Sequence, residues 1–437
     1  MQLVADNTDK ELATKKPTIQ VFDMIMGEGK TTALAHSMRR WWNDYKYDQV
    51  IYLAPNLSEV GGIAKGQNGE PDVEHSGRIR EACPEIDFTN PKSKGRGKAD
   101  NARDLVRNGS NISATHQLFR NIMPDDLALV SQRKSLLVID EALEVVSPYD
   151  DISRSDLEML ISNGYIALDQ NNKASFVREL GDDSVFTPVK ELCDSGHLYI
   201  TPAKEMMIWE FPPEVLNAFD DVIISTYLFE GSLMSAWLDY NDYEFGYANQ
   251  TDPKNRKLLE IATKERIKDL LTIVNSKKAN AIGEGTLSQS WWRTSTPAKR
   301  KAVQKAAANV VKNILKGVSA SDMLVTCPKD QWKRGGAQGQ GYSRASWLAS
   351  NTRATNDYAD KTAILYLLDK HLNPMVDRYI KHRGGKIDAD AYALGEMLQF
   401  LWRGCIRKGE PMTVYIPSSR MRKLLMDWLD IPLGEQF

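Results

Sequence analysis

The feature that most restricts the fold is a strand-forming run, Thr18-Ile19-Gln20-Val21-Phe22. It passes through the glycine turn Gly27-Glu28-Gly29-Lys30-Thr31-Thr32 into a helical pattern carried by Ala33, Leu34, Met38 and Trp41. A strand that turns on glycines straight into a helix is the first half of a βαβ unit, and such units build parallel sheets covered by helices. Further strand-like runs occur at Gln49–Ala54, Asn111–Ala114, Ser135–Ile139 and Val222–Ser225. The Ser135 run is apolar on both faces, as a strand sandwiched between helix layers must be. These runs predict a doubly wound domain ending near residue 235. Roughly 80 residues separate Asp140 from Ser225, more than one crossover helix needs, so an insertion is expected at about 145–220.

A second α/β pattern comes after the Asn/Asp/Tyr-rich connector Asp239–Asp252. Lys257–Ala262 is expected to open its sheet. A basic helix at Pro297–Lys316 comes next, then a strand at Asp322–Thr326, a glycine-rich loop at Gly335–Gly341, a strand at Ala363–Leu368, a helix around Tyr392–Ile406 and a strand at Met412–Ile416. The expected fold class is α/β, with two doubly wound parallel-sheet domains in tandem, 1–235 and 236–437. Composition supports two real cores: 437 residues, 42% hydrophobic, with 56 Lys+Arg against 58 Asp+Glu, which excludes disorder. The longest apolar runs are strand-sized, so no membrane span is expected. The opening residues lack the basic start and apolar core of a secretory signal. Cys83, Cys193, Cys327 and Cys405 lie far apart, which fits a reducing, cytoplasmic location and argues against a disulfide framework.

Chemistry concentrates at two places. In Gly27–Thr32, glycines let backbone amides turn inward on phosphate oxygens, the helix N-terminus adds partial positive charge, Lys30 reaches the β/γ-phosphates and Thr31 ligates Mg²⁺. The general pattern wants a further glycine where this chain has Met24. In Leu136–Ala142, an apolar strand ends in Asp140 and Glu141, which puts Asp140 at the carboxyl edge of the sheet to hold a metal and Glu141 beside it to polarise a water. The six histidines show no metal spacing. Asp388 and Asp390 stand where a helix cap and a first-turn charge are expected, rather than a nuclease pair.

GEGKTT, the VIDEA string and the distance between them resemble the first motor domain of superfamily 2 (DEAD/DEAH-like) helicases, and the run from ATNDYAD through QFLWRGCIR to YIPSSRM resembles helicase-like proteins of bacteriophages or other mobile elements. Leu143 stands in the fourth position of the DEAD-like box. The resemblance implies two RecA-like domains, ATP and Mg²⁺ as ligands, and a role for Gly27, Glu28, Gly29, Lys30, Thr31 and Thr32 in holding the nucleotide. It implies nucleic-acid contacts at Pro55 and Asn56 of YLAPN and at Thr115 and His116 of SATHQ. Ser225-Thr226 resembles the family's motif coupling hydrolysis to the strand track. In the second half, Asn351–Tyr358 resembles a nucleotide- and strand-contacting motif, which implies roles for Thr352, Arg353, Asn356 and Asp357. Gln399-Phe400-Leu401-Trp402-Arg403-Gly404-Cys405-Ile406-Arg407 resembles the arginine-finger helix, with Gln399 and either Arg403 or Arg407 at the γ-phosphate. The implied activity is ATP-driven unwinding or translocation along nucleic acid during replication or recombination. DNA is favoured, as single strand or forked duplex, with replication proteins as possible partners.

For strand contact, the stretch between Glu284 and Asp322 has no acid and seven basic residues: Arg293, Lys299, Arg300, Lys301, Lys305, Lys312 and Lys316. Trp291 and Trp292 just ahead of them offer faces for base stacking. Lys92, Lys94, Arg96 and Lys98 form a second basic candidate. Two other classes share parts of this pattern. A viral DNA-packaging ATPase also pairs a phosphate loop with Asp-Glu, and a non-catalytic adaptor keeps a motor fold without turnover; intact Lys30, Asp140 and Glu141 argue against the adaptor.

Overall fold

The computed structural model describes residues 15–64, 72–92, 97–119, 124–181, 184–248, 253–352 and 357–432. The chain forms two compact units: residues 1–24, 29–248 and 373–387 in the first, and 25–28, 249–372 and 388–437 in the second. Each is built on its own parallel sheet, giving the tandem RecA-like α/β architecture expected.

The sheet of the first unit has six strands in the order Phe245–Tyr247, Thr18–Asp23, Asp221–Thr226, Ser135–Asp140, Gln49–Ala54, Ile112–Thr115. Every neighbouring pair runs parallel. Gln49–Ala54 and Ser135–Asp140 are buried at every position, which is why their sequences are apolar without alternation. The helix Lys30–Tyr45 lays Leu34, Ala35, Met38 and Trp41 on this sheet, and they join Val50, Tyr52, Leu136 and Val138 in one core. Each such side chain contributes about 1.5–3 kcal/mol by leaving water.

Between Asp140 and Asp221 the chain builds a three-stranded antiparallel sheet, Leu198–Ile200, Met207–Glu210, Val146–Tyr149, and a small hairpin, Ile166–Leu168 with Ala174–Phe176. Glu210 at the end of that sheet is fully buried. Its Oε2 accepts from Arg383 Nη1 at 2.9 Å and from the Tyr379 hydroxyl, and its Oε1 accepts from Trp237 Nε1 at 3.1 Å. These bonds explain why the helix Pro374–His382, late in sequence, belongs to the first unit.

The second unit holds a five-stranded sheet in the order Leu271–Ile273, Met412–Tyr415, Ala363–Tyr366, Met323–Thr326, Ser346–Trp347, again parallel throughout. One expected strand is corrected. Lys257–Ala262 lies inside the helix Pro253–Leu270, because its short apolar run sits among charges spaced for a helix surface, and periodicity over so few residues does not separate strand from helix. The first strand of the sheet is the next segment, Leu271–Ile273. The basic helix spans Pro297–Asn313 and starts on Thr296, whose side chain accepts from the amide of Lys299. Among the described residues no helix is long and apolar enough to cross a membrane, and all four cysteines are free and buried.

Candidate active site

Gly27 and Gly29 take φ values of 88° and 71°, the left-handed region that only glycine enters without strain. The strand Thr18–Asp23 therefore turns sharply into the helix that begins at Lys30. The first amides of that helix have no intrahelical acceptor and carry its positive end, the arrangement that receives phosphate.

Asp221–Thr226 lies between Thr18–Asp23, the strand that leads into the glycine turn, and Ser135–Asp140. Asp140 sits at the carboxyl end of its strand, 5% exposed. Its Oδ2 accepts from Thr31 Oγ1 at 3.0 Å and from the Tyr52 hydroxyl at 2.9 Å. Burial raises the pKa of Asp140; the neighbouring Glu141 raises it further, while Lys30 and the two hydroxyl donors pull it down. Lys30 thus stands near enough to act as countercharge. Glu141 adopts φ 66°, a left-handed backbone that costs a non-glycine residue about 1–2 kcal/mol and that is typically retained at functional turns. Its amide donates to Ser225 O at 2.7 Å, while its Oε2 is buried and, among the described residues, has no hydrogen-bond partner.

Ser225 is the register partner of both Asp140 and Phe22, and Thr226 O accepts from the amide of Met24 at 2.9 Å. The Ser-Thr pair therefore physically links the acidic strand end to the chain entering the glycine turn. His116, at the start of the short helix after strand Ile112–Thr115, places Nε2 3.0 Å from Asp140 O. Pro55 and Asn56 come directly after the strand Gln49–Ala54, with Asn56 leading into the turn Leu57–Val60. Lys30, Thr31, Asp140, Glu141, Thr115 and His116 thus stand at the carboxyl ends of alternate strands of one parallel sheet.

Tyr52 and Arg78 belong to the site without standing in any motif. Tyr52 bonds Asp140, and Arg78 Nη2 donates to Thr32 Oγ1 at 3.0 Å. The only trace of the first in the sequence is a hydroxyl-bearing residue among the apolar Val50, Ile51, Leu53 and Ala54 of a buried strand. The second has no local trace.

The donor set fits a small hard cation: the Asp140 carboxylate and the Thr31 hydroxyl offer oxygens, the preference of Mg²⁺. No group of three or more His, Cys, Asp or Glu among the described residues could hold a metal alone.

In the second unit two expectations are corrected. Trp292 is fully buried in the core and gives its Nε1 hydrogen to Leu367 O at 3.1 Å. It offers no face to a base, because its ring is worth more to the core than to solvent. Trp291 is half-buried, edge-on to Trp292 with ring centroids 5.2 Å apart. Arg403 and Arg407 do not share a helix: the helix is Ala389–Leu401, and Arg407 lies in a separate 3₁₀ turn, Cys405–Lys408. Glycine at 404 interrupts the segment, and Cys405 N bonds Lys361 O instead. Gln399 is in the last helical turn and half-buried. Arg403 is buried, with Nη2 donating to Thr352 O at 3.3 Å.

Asp357 is exposed; Arg353 and Asn356, like Lys94 and Arg96, lie outside the described residues. On the basic helix Lys299, Lys301, Lys305 and Lys312 are exposed, but Arg300 is half-buried and caps the preceding turn by donating to Ser295 O. Asp388 is a helix cap, its side chain accepting from the amides of Asp390 and Ala391.

The model of the YonV C-terminal Rossmann-like domain matches residues 265–429. The SPbeta prophage-derived uncharacterized protein YonV of Bacillus subtilis (strain 168) is 30% identical over 434 residues, covering 94% of this chain and 98% of that protein. Among solved structures, the DUF1998 helicase MrfA bound to DNA and AMPPNP superposes with a TM-score of 0.30 at 12% identity, over 98% of this chain and 50% of that one. The chain thus spans half the length of that helicase, and a likeness this loose carries no functional weight.

Proposed function

The chain belongs to the YonV family, and from that premise and the geometry of its first unit we propose that it is an ATP-dependent nucleic-acid helicase or translocase, related to superfamily 2 and serving a phage or other mobile element. The observation that carries this reading is the 3.0 Å bond from Thr31 to Asp140. It joins a glycine phosphate loop to an acidic strand end across an intervening strand that supplies Ser225 and Thr226. The prophage origin in the relative's name supports the mobile-element context.

In this reading the loop amides and Lys30 bind the β- and γ-phosphates of ATP, and Thr31 with Asp140 would hold Mg²⁺. When bound, the ion would neutralise charge on the phosphate oxygens. Glu141, held in its left-handed turn with an unengaged carboxylate oxygen, orients and deprotonates the attacking water. Arg403 and Arg407 are the candidates for the guanidinium that stabilises the spreading charge at the γ-phosphate. Pro55, Asn56, Thr115 and His116 are proposed to meet the nucleic-acid backbone, and His116 reports its presence to Asp140 through the backbone carbonyl. The exposed lysines of Pro297–Asn313 add phosphate contacts, and DNA is the favoured substrate. Cytoplasmic action is part of the proposal.

The test is ATP hydrolysis with and without single-stranded DNA, alongside strand separation on tailed duplexes. Hydrolysis stimulated by DNA is expected, and Lys30→Ala should lower it by about 10²-fold or more, as losing a preorganised donor to transition-state charge does, while circular dichroism shows an unchanged fold. Turnover unaffected by Lys30→Ala would end the phosphate-loop assignment. Stimulated turnover without strand separation would leave a translocase.

A further inference from the structure

A cavity of about 210 Å³ opens beside the first two turns of the helix Lys30–Tyr45, with Thr31, Thr32, His36, Arg78, Ile79 and Ala82 in its wall. Arg78 starts the short helix Arg78–Ala82, and its position is fixed from below. Gly77 has φ 86°, and a Cβ there would come within 2.6 Å of Gly61 N, so the backbone at this point is pressed against Val60–Gly61. Ile79 is fully buried in the core shared with Leu34, Ala35 and Met38. Cys83 gives its thiol hydrogen to Ala35 O at 3.4 Å. The Arg78 backbone is thereby fastened to the phosphate-loop helix while its side chain stays 54% exposed. Nη2 donates to Thr32 Oγ1 at 3.0 Å, and Nη1 lies 3.8 Å from Glu59 Oε1.

The two adjacent threonines are committed in different directions. Thr31 bonds Asp140, and Thr32 bonds Arg78. A triphosphate is a linear chain of anions. With its terminal phosphates at Lys30 and Asp140, the α-phosphate and nucleoside continue past the next residue of the helix, Thr32, where a cation and an open cavity wait. A guanidinium on a fixed backbone can form two parallel bonds to phosphate oxygens at little entropic cost.

We propose that this cavity receives the nucleoside end of the bound nucleotide, with Arg78 and Thr32 on the α-phosphate and His36 beside the ribose. The inference rests on the phosphate-loop reading and deepens it, because it assigns to the first unit a binding arginine distinct from the γ-phosphate candidates Arg403 and Arg407. Arg78 then contributes to ADP and ATP binding alike, since both carry the α-phosphate.

The experiment is calorimetric titration of the full chain with Mg·ADP and Mg·ATP. Arg78→Ala is expected to weaken both in parallel, by about tenfold to a hundredfold, the usual worth of a hydrogen bond to a charged group. If Arg78→Ala lowers the melting temperature, Arg78→Lys decides: lysine keeps the charge without the fork, so a stably folded Arg78→Lys with clearly weakened ADP binding supports the inference and one with wild-type affinity overturns it. Wild-type ADP affinity in Arg78→Ala also overturns it and leaves the phosphate loop standing. A wild-type chain that binds neither nucleotide overturns both.

Discussion

Thr31 and Asp140 lie 109 residues apart in the chain, and their side chains meet at 3.0 Å. That contact puts a carboxylate with raised pKa against the glycine turn that opens the helix Lys30–Tyr45, and its pH dependence has a definite sign. Burial, with Glu141 adding, makes the folded state hold the Asp140 proton more tightly than the unfolded chain does. The folded form is therefore favoured below the ordinary aspartate range, near 4, and loses that advantage as pH rises through the higher folded value. Asp140→Asn removes the charge while Oδ1 still accepts from Thr31 and Tyr52. It should raise the melting temperature at pH 8, by about 2–4 °C for each kcal/mol regained. The gain should shrink toward pH 4, and ATP hydrolysis should be lost. Thermal scans across this pH range check the sign; a variant less stable at pH 8 than at pH 4, relative to wild type, refutes it.

The buried pair of Glu210 and Arg383 offers a test of how the late helix Pro374–His382 is held. Removing one partner leaves the other charge buried without compensation, which costs about 3–5 kcal/mol. Arg383→Met should therefore destabilise strongly in denaturant titrations. The double variant Glu210→Leu/Arg383→Met should regain much of the loss, because an apolar pair of similar volume often substitutes well for a buried ion pair. A double variant as weak as the single would mean the destabilisation comes from packing.

What could be read in the sequence was local. The glycine turn, the doubly apolar strand ending at Asp140 and the start of the basic helix at Pro297 each depend on residues within a few positions of one another, and each stands where its pattern put it. The partners that define the site depend on distance in the chain. Tyr52 reaches Asp140 across 88 residues and Arg78 reaches Thr32 across 46, and no spacing announces either. Nor could the return of residues 373–387 to the first unit be seen, since its cause is a carboxylate 173 residues before Arg383. Lys257–Ala262 and Trp292 went astray for the opposite reason: short apolar runs and large rings fit several environments, and tertiary packing chose among them. Arg407 was misplaced because a helical periodicity carries no information past a break such as Gly404.

Lys301, Lys305 and Lys312 are exposed on the helix Pro297–Asn313, at spacings that bring them to one face. If this face meets a single strand, replacing all three by alanine should weaken binding at low salt. The slope of log K against log salt should become shallower by about 2, since each phosphate contact to single-stranded nucleic acid contributes about 0.7. Fluorescence anisotropy with an oligonucleotide over a salt series measures both. An unchanged slope would make the lysines a solvated face only.

His116 stands between a proposed strand contact and the acidic strand end. Its Nε2 lies 3.0 Å from the carbonyl of Asp140, and the next amide along, that of Glu141, is bonded to Ser225 O. A backbone shift at His116 on binding nucleic acid would thus be felt by Glu141, the residue proposed to orient the attacking water. His116→Ala should lower the ratio of DNA-stimulated to basal ATP turnover more than it lowers nucleotide affinity. His116→Asn, which keeps a side-chain nitrogen donor, should recover part of that ratio. Steady-state hydrolysis over a range of DNA concentrations, with ADP binding measured in parallel, separates the two effects. Equal losses of ADP affinity and stimulation would assign His116 to local packing, because a residue acting only through the shape of the nucleotide site has no reason to distinguish the free enzyme from the DNA-bound one.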